Sequence, residues 1–90
     1  MDINYKDIIN KKIIDIRNNY SYINGHIPNS INIIENKLLM NPGMYLNRNN
    51  EYVVYCDYGN RSKKVASYLD MNGYKVYSLI GGYNEYLKNI

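Results

Sequence analysis

The 90-residue chain has no tryptophan and no phenylalanine, and only one cysteine, one histidine and two prolines. A single cysteine cannot close an internal disulfide, so any sulfur cycle must be completed by an outside thiol or nucleophile. One cysteine and one histidine also fall short of the ligand set of a structural zinc site. No apolar run approaches the length of a membrane span, and Met1-Asp2-Ile3-Asn4-Tyr5-Lys6 lacks a signal-peptide pattern. A cytoplasmic protein without membrane attachment is the expectation. The net charge of +3 is mild, and lysine and arginine are scattered rather than gathered in a block. Nucleic-acid binding is therefore not expected, and small anions are the expected charged partners.

What is present is ordinary for a folded protein: 46% hydrophobic and 21% charged residues, with 12 tyrosines as the whole aromatic complement. The length suits one domain, residues 1–90, with a modest single core.

Along the chain, short apolar runs alternate with helical patterns. Ile3 suits a brief first strand, followed by a short helix over Tyr5 to Asn10. Ile13-Ile14-Asp15-Ile16 reads as a strand, and Asn18 or Asn19 can cap a helix through Tyr20 to Asn24 that stops at Gly25. His26-Ile27-Pro28-Asn29-Ser30 is a turn, because proline fixes its own φ, extends Ile27 and is followed by an asparagine that tolerates left-handed angles. His26 is expected to pin that turn. Ser30 to Ile33 forms a further strand, and Glu35 to Met40 a helix with Leu38 and Leu39 facing the core. Asn41-Pro42-Gly43 should break that helix before another turn at Met44-Tyr45-Leu46. Tyr74 to Leu79 is the last strand, and Gly81-Gly82 a turn. Tyr83, Tyr86, Leu87 and Ile90 then share one face of a closing helix. This alternation predicts an α/β domain of three layers, α/β/α, around a mostly parallel sheet of about five short strands.

The chemistry concentrates between Tyr52 and Val65. Tyr52-Val53-Val54-Tyr55 is continuously apolar, as expected of a strand buried on both faces of a parallel sheet. Cys56 ends it. Ser62, Val65, Ala66 and Leu69 then fall at i, i+3, i+4 and i+7, giving a helix with an apolar face that runs to about Gly73. A lone cysteine ordinarily packs as a small hydrophobe. Here it opens a loop between a strand's carboxyl end and a helix's amino end, where unpaired amides and the helix dipole favour anions. The Cys56 thiol should accordingly be acidified, with help from Arg61, Lys63 and Lys64 and opposition from Asp57. Gly59 suits a tight turn that leaves its amides accessible.

Four segments together resemble the rhodanese family in its single-domain form. Ile14-Asp15-Ile16-Arg17 resembles the family's Asp-x-Arg strand end. Gly25-His26-Ile27-Pro28-Asn29-Ser30-Ile31-Asn32 resembles its Gly-His-Ile-Pro-Gly-Ala-x-Asn segment. Val54 to Ser62 resembles its catalytic loop, and Gly81-Gly82-Tyr83-Asn84-Glu85-Tyr86 its closing Gly-Gly segment. The resemblance implies a sulfurtransferase in which Cys56 takes a sulfane sulfur from thiosulfate, a persulfide or a polysulfide, holds it as a persulfide and passes it to cyanide or a thiol. It implies a substrate-binding loop of Asp57, Tyr58, Gly59, Asn60, Arg61 and Ser62, with no metal or organic cofactor. Asp57 and Tyr58 make that loop less positive than an all-basic one, so thiosulfate should be an indifferent donor. Ser21 stands where the family commonly has glutamate, removing one charge partner for Arg17, which is expected to be ion-paired at the strand end. Asn29 replaces a common glycine and Tyr86 a tryptophan.

Two alternatives bracket this reading. Cysteine-dependent phosphatases and arsenate reductases resemble Cys-x5-Arg, whereas only Asp57 to Asn60 separate Cys56 from Arg61 here, a cradle better matched to one sulfur than to a phosphate. A persulfide carrier or binding module acting on a partner protein would need an apolar patch beside the loop, for which Tyr58 is the candidate.

Overall fold

The computed structural model describes residues 1–90. Five strands, β1 (Asp2–Ile3), β2 (Lys12–Asp15), β3 (Ile31–Asn32), β4 (Glu51–Tyr55) and β5 (Lys75–Leu79), form one sheet in the order β1-β5-β4-β2-β3. Every pairing is parallel, with Ile14 opposite Val54 and Val54 opposite Ser78. Five helices accompany them: α1 (Asn19–Asn24), α2 (Glu35–Met40), α3 (Pro42–Tyr45), α4 (Asn60–Met71) and α5 (Gly82–Lys88).

The period of two along each strand sends alternate residues to opposite faces and builds two cores. Tyr52, Val54 and Cys56 join Ile14, Ile16 and Val76 in a cluster with Leu38 of α2 and Val65, Ala66 and Leu69 of α4. Val53, Tyr55, Ile13 and Leu79 join Ile3, Ile8 and Ile27 on the other face, where Tyr83 and Tyr86 of α5 pack. Sheet between helical layers is the three-layer α/β arrangement the alternation predicts, and the central position of β4 explains its unbroken apolar run. No helix is long and apolar enough to cross a membrane.

Local signals act as expected at several points. Asn18 caps α1 by accepting from the Ser21 amide at 2.8 Å. Asn29 sits at φ 70°, and Gly73, just past α4, at φ 92°. His26 stacks on Tyr22 with ring centroids 3.8 Å apart, its Nδ1 2.7 Å from the Tyr22 carbonyl oxygen. That contact pins the turn.

Three expectations need correction. The helix expected over Tyr5 to Asn10 is a single 3-10 turn, Tyr5–Asp7, with Ile8 buried beyond it and Ile9 exposed. Pro42 and Gly43 do not interrupt the chain after α2; they open α3, with Pro42 in its first turn where a missing N–H costs nothing, and the break falls at Asn41. Leu87 and Ile90 do not join the packed stripe, being 47% and 78% exposed. Only α5's first turns reach the sheet, through Tyr83 and Tyr86, and the helix ends at Lys88.

Candidate active site

All the parallel strands end on the same side, and ligands of such sheets bind beyond those carboxyl ends. Cys56 directly follows β4 there and is 6% exposed. The chain turns through Gly59, at φ 97° and ψ −14°, into α4. A Cβ on Gly59 would come within 3.1 Å of the Gly81 amide nitrogen, so a side chain here would be strained in backbone and crowded in space.

The turn wraps hydrogen-bond donors around the sulfur. The Gly59 N–H donates to Cys56 Sγ at 3.2 Å and the Ser62 N–H at 3.4 Å, while the Ser62 hydroxyl, 3.5 Å away, accepts from the thiol and can turn to donate to the thiolate. Ser62 is itself fully buried and held by the Ser78 hydroxyl of β5 at 2.8 Å and the Gly59 carbonyl at 3.3 Å. Burial pushes the Cys56 thiol up, but the Ser62 hydroxyl and the amides of Ser62, Gly59 and Arg61 together outweigh it and hold the thiol below its ordinary value. The acidification expected from the helix amino end is therefore present.

Its source differs from the expectation in one respect. The Arg61 guanidinium does not approach the sulfur: its Nε donates to Glu35 Oε1 at 2.8 Å, and only its backbone N–H serves Cys56. Lys63 faces Asp2 at 3.9 Å, and Lys64 is exposed. Helix geometry explains this. Ser62 points inward at the sulfur, and successive residues turn by about 100°, so Arg61 and Lys63 diverge to either side. Asp57 does not face the sulfur as an unpaired charge either, because its Oδ1 accepts from Arg17 Nη1 at 3.2 Å.

Arg17 anchors the loop to the sheet. Its guanidinium donates to both oxygens of Asp15, at 3.1 Å from Nε and 2.7 Å from Nη2, and to the Gly25 carbonyl at 2.6 Å. It also lies 4.4 Å from the centre of the Tyr83 ring. Burial works against the Arg17 charge, but the bonds to Asp15 prevail and raise its pKa. The ion pair expected at the strand end is thus present. Asp15 and Asp57 supply the partners, so the serine at position 21 leaves Arg17 with no missing charge.

The closing Gly-Gly segment grips the same loop. The Tyr83 N–H donates to the Cys56 carbonyl at 2.8 Å and the Asn84 N–H to the Asp57 carbonyl at 2.9 Å. A Cβ on Gly82 would stand 2.5 Å from the Cys56 carbonyl oxygen, so only glycine permits this approach. The paired glycines mark a turn in the sequence; what the turn touches is set by the fold.

Of the remaining expected loop residues, Tyr58 is 68% exposed, and Asn60 and Arg61 are exposed at the start of α4. A cleft of about 250 Å³ opens beside the loop between Arg17, Glu35, Asp57 and Arg61. Glu35 has no signal in the sequence, because its tie to Arg61 spans 26 residues. No group of three or more His, Cys, Asp or Glu side chains is placed to hold a metal ion.

Ser62→Ala should remove the hydroxyl from the sulfur while keeping both amides. The rate of Cys56 alkylation at neutral pH is expected to fall roughly three- to tenfold, with the midpoint of its pH profile moving up. In the parent protein the thiolate's stabilising contribution is present above the unfolded thiol's pKa and is lost as pH falls through the lower folded value. An unmoved midpoint would show that the amides alone set the thiol.

Comparison with known proteins gives one consistent likeness. The model of the rhodanese-like domain family matches residues 3–89. The crystal structure of a rhodanese-related protein from Thermoplasma volcanium is 31% identical, with a TM-score of 0.87 over 97% of this chain and 90% of that one. A human single-domain sulfurtransferase, at 18% identity and a TM-score of 0.84 over 99% of this chain and 96% of that one, shares the fold. Among curated proteins, the tRNA uridine(34) hydroxylase of Buchnera aphidicola subsp. Baizongia pistaciae is 31% identical over 86 residues, which are 89% of this chain and 28% of that protein. The chain spans about a quarter of the length of the hydroxylases it matches.

Proposed function

Because the chain belongs to the rhodanese-like domain family, we propose that it transfers sulfane sulfur through a persulfide on Cys56. The Cys56 thiolate attacks the outer sulfur of thiosulfate, a persulfide or a polysulfide. A new sulfur–sulfur bond forms, the donor's own sulfur–sulfur bond breaks, and sulfite, a thiolate or a polysulfide one sulfur shorter leaves with the electron pair. A thiolate or cyanide then attacks the outer sulfur of the persulfide, the sulfur–sulfur bond to Cys56 breaks, and a new persulfide or thiocyanate departs as Cys56 returns to the thiolate. The observation that carries this reading is the convergence of the Gly59 and Ser62 amides and the Ser62 hydroxyl on one acidified sulfur. They stabilise negative charge on the attacking thiolate and on the persulfide that replaces it. Asp57, Tyr58, Asn60 and Arg61 complete the substrate-binding loop.

A partner protein as the final acceptor is favoured by one feature. Tyr58, 68% exposed, and Ile80, 51% exposed, line a second cleft beside the loop together with Gly59. Exposed apolar side chains beside a reactive loop suit the docking of a protein thiol. The hydroxylase activity named for the curated relatives belongs to proteins of which this chain spans about a quarter.

Intact mass after incubation with thiosulfate, or with a polysulfide, tests the proposal. The protein should gain one sulfur and lose it on addition of cyanide or a small thiol. Failure to gain sulfur from either donor would remove the transfer reading and leave a binding module.

A further inference from the structure

The arginine that the loop itself carries is not free. Arg61 stands in the first turn of α4, which contains no acidic residue and where the helix dipole disfavours positive charge. Its side chain is 73% exposed, yet its Nε is held by Glu35 Oε1 at 2.8 Å, and Glu35 is three-quarters buried at the start of α2. An ion pair with one partner so exposed contributes little stability, so its main effect is on the charge of the cleft it borders. The second arginine of that cleft, Arg17, is already spent on Asp15 and Asp57. The cleft walls thus carry Arg17 and Arg61 against Glu35 and Asp57, with no cation left over. Asp57 faces Arg17, so the carboxylate that discharges Arg61 is Glu35.

We propose that Glu35 is a donor-specificity residue, which neutralises and holds Arg61 so that the Cys56 loop discriminates against dianionic sulfur donors. The inference rests on the sulfur-transfer reading and concerns the donor step alone. With thiosulfate, the Cys56 thiolate takes the outer sulfur, the sulfur–sulfur bond breaks, and sulfite departs with the electron pair and both of the donor's negative charges. An unopposed Arg61 would favour that dianion as it approaches. A donor such as 2-hydroxyethyl persulfide, which carries at most one negative charge, gains less from the same change. In that case the thiol leaves after its sulfur is taken, carrying the donor's proton when the donor is protonated.

Glu35→Gln keeps an oxygen for Arg61 Nε and removes the charge, so it separates electrostatics from positioning. The KM for thiosulfate should fall roughly five- to tenfold, with kcat within about twofold, and the KM for 2-hydroxyethyl persulfide should move by less than about twofold. The thiosulfate effect should shrink as ionic strength rises from about 0.01 M to about 1 M, where the Debye length contracts from about 30 Å to about 3 Å. Glu35→Asp, which retains the charge, should restore the original preference. Equal changes for both donors, no change for either, or an effect insensitive to salt would overturn the role of Glu35 while leaving Cys56 transfer intact. Absence of loading from both donors in the unsubstituted protein would instead overturn the transfer reading, and this inference with it.

Discussion

Cys56→Ser is expected to gain no sulfur from thiosulfate or polysulfide and to turn over at least about a thousandfold more slowly, at background, because the proposed reaction takes the only thiol of the chain as its nucleophile. The fold should survive. A serine oxygen can still accept from the Gly59 and Ser62 amides that now point at sulfur, so the stability change should be about 1 kcal/mol. Cys56→Ala should load no sulfur either, but it withdraws the acceptor and leaves two amides facing a methyl group, at about 1–3 kcal/mol for each donor left without a partner. Intact mass and thermal melting on both variants separate the two roles of the sulfur. A serine variant that still loads would place the reactive group elsewhere. An alanine variant as stable as the serine one would mean that the amides find other partners once the sulfur is gone.

The same residues show what a linear sequence discloses. β4 was legible because a strand buried on both faces leaves an unbroken apolar run, and Ser62, Val65, Ala66 and Leu69 were legible because one face of α4 meets the sheet. Their junction predicted an anion-favouring loop, and Cys56 lies in it. The direction of each loop side chain was not legible. The order of residues places Arg61 beside the sulfur, but the inward turn of Ser62 sends its side chain to Glu35, a partner 26 residues away that no periodicity links to it. The Gly81-Gly82 pair announced a turn, yet its close approach to the Cys56 and Asp57 carbonyls depends on how α5 returns over the sheet. Leu87 and Ile90 had helical spacing but lie at and beyond the end of a seven-residue helix, where periodicity persists after packing has stopped. Local pattern fixes elements and faces. Pairings across the fold follow from the register of the parallel strands, which brings Asp15 beside Tyr55 and so sets Arg17 next to the loop.

Arg17→Met should be strongly destabilising. Asp15 is fully buried, and its two oxygens take three bonds from the Arg17 guanidinium. Removing that cation leaves a buried carboxylate without its counterion and the Gly25 carbonyl without the donor now at 2.6 Å, a loss of about 3–5 kcal/mol. For a domain of this size that lowers the melting temperature by upwards of about 12 °C, out of a total stability of about 5–15 kcal/mol. The double variant Asp15→Asn, Arg17→Met removes the stranded charge along with its partner and should recover part of the loss, which a double-mutant cycle would read as coupling between the two sites. Arg17→Lys keeps a charge but cannot span both oxygens of Asp15, the Gly25 carbonyl and Asp57 at once, so it should fall between the parent and the methionine variant. The consequence reaches the sulfur through Asp57. With Arg17 gone, the residue next to Cys56 loses its tie to the sheet and only the Tyr83 and Asn84 amides still hold that side of the loop. At a temperature where the methionine variant remains folded, sulfur loading should therefore slow severalfold. A loading rate equal to the parent's would show that the grip of α5 is sufficient to position the loop, and would confine Arg17 to the stability of the end of β2.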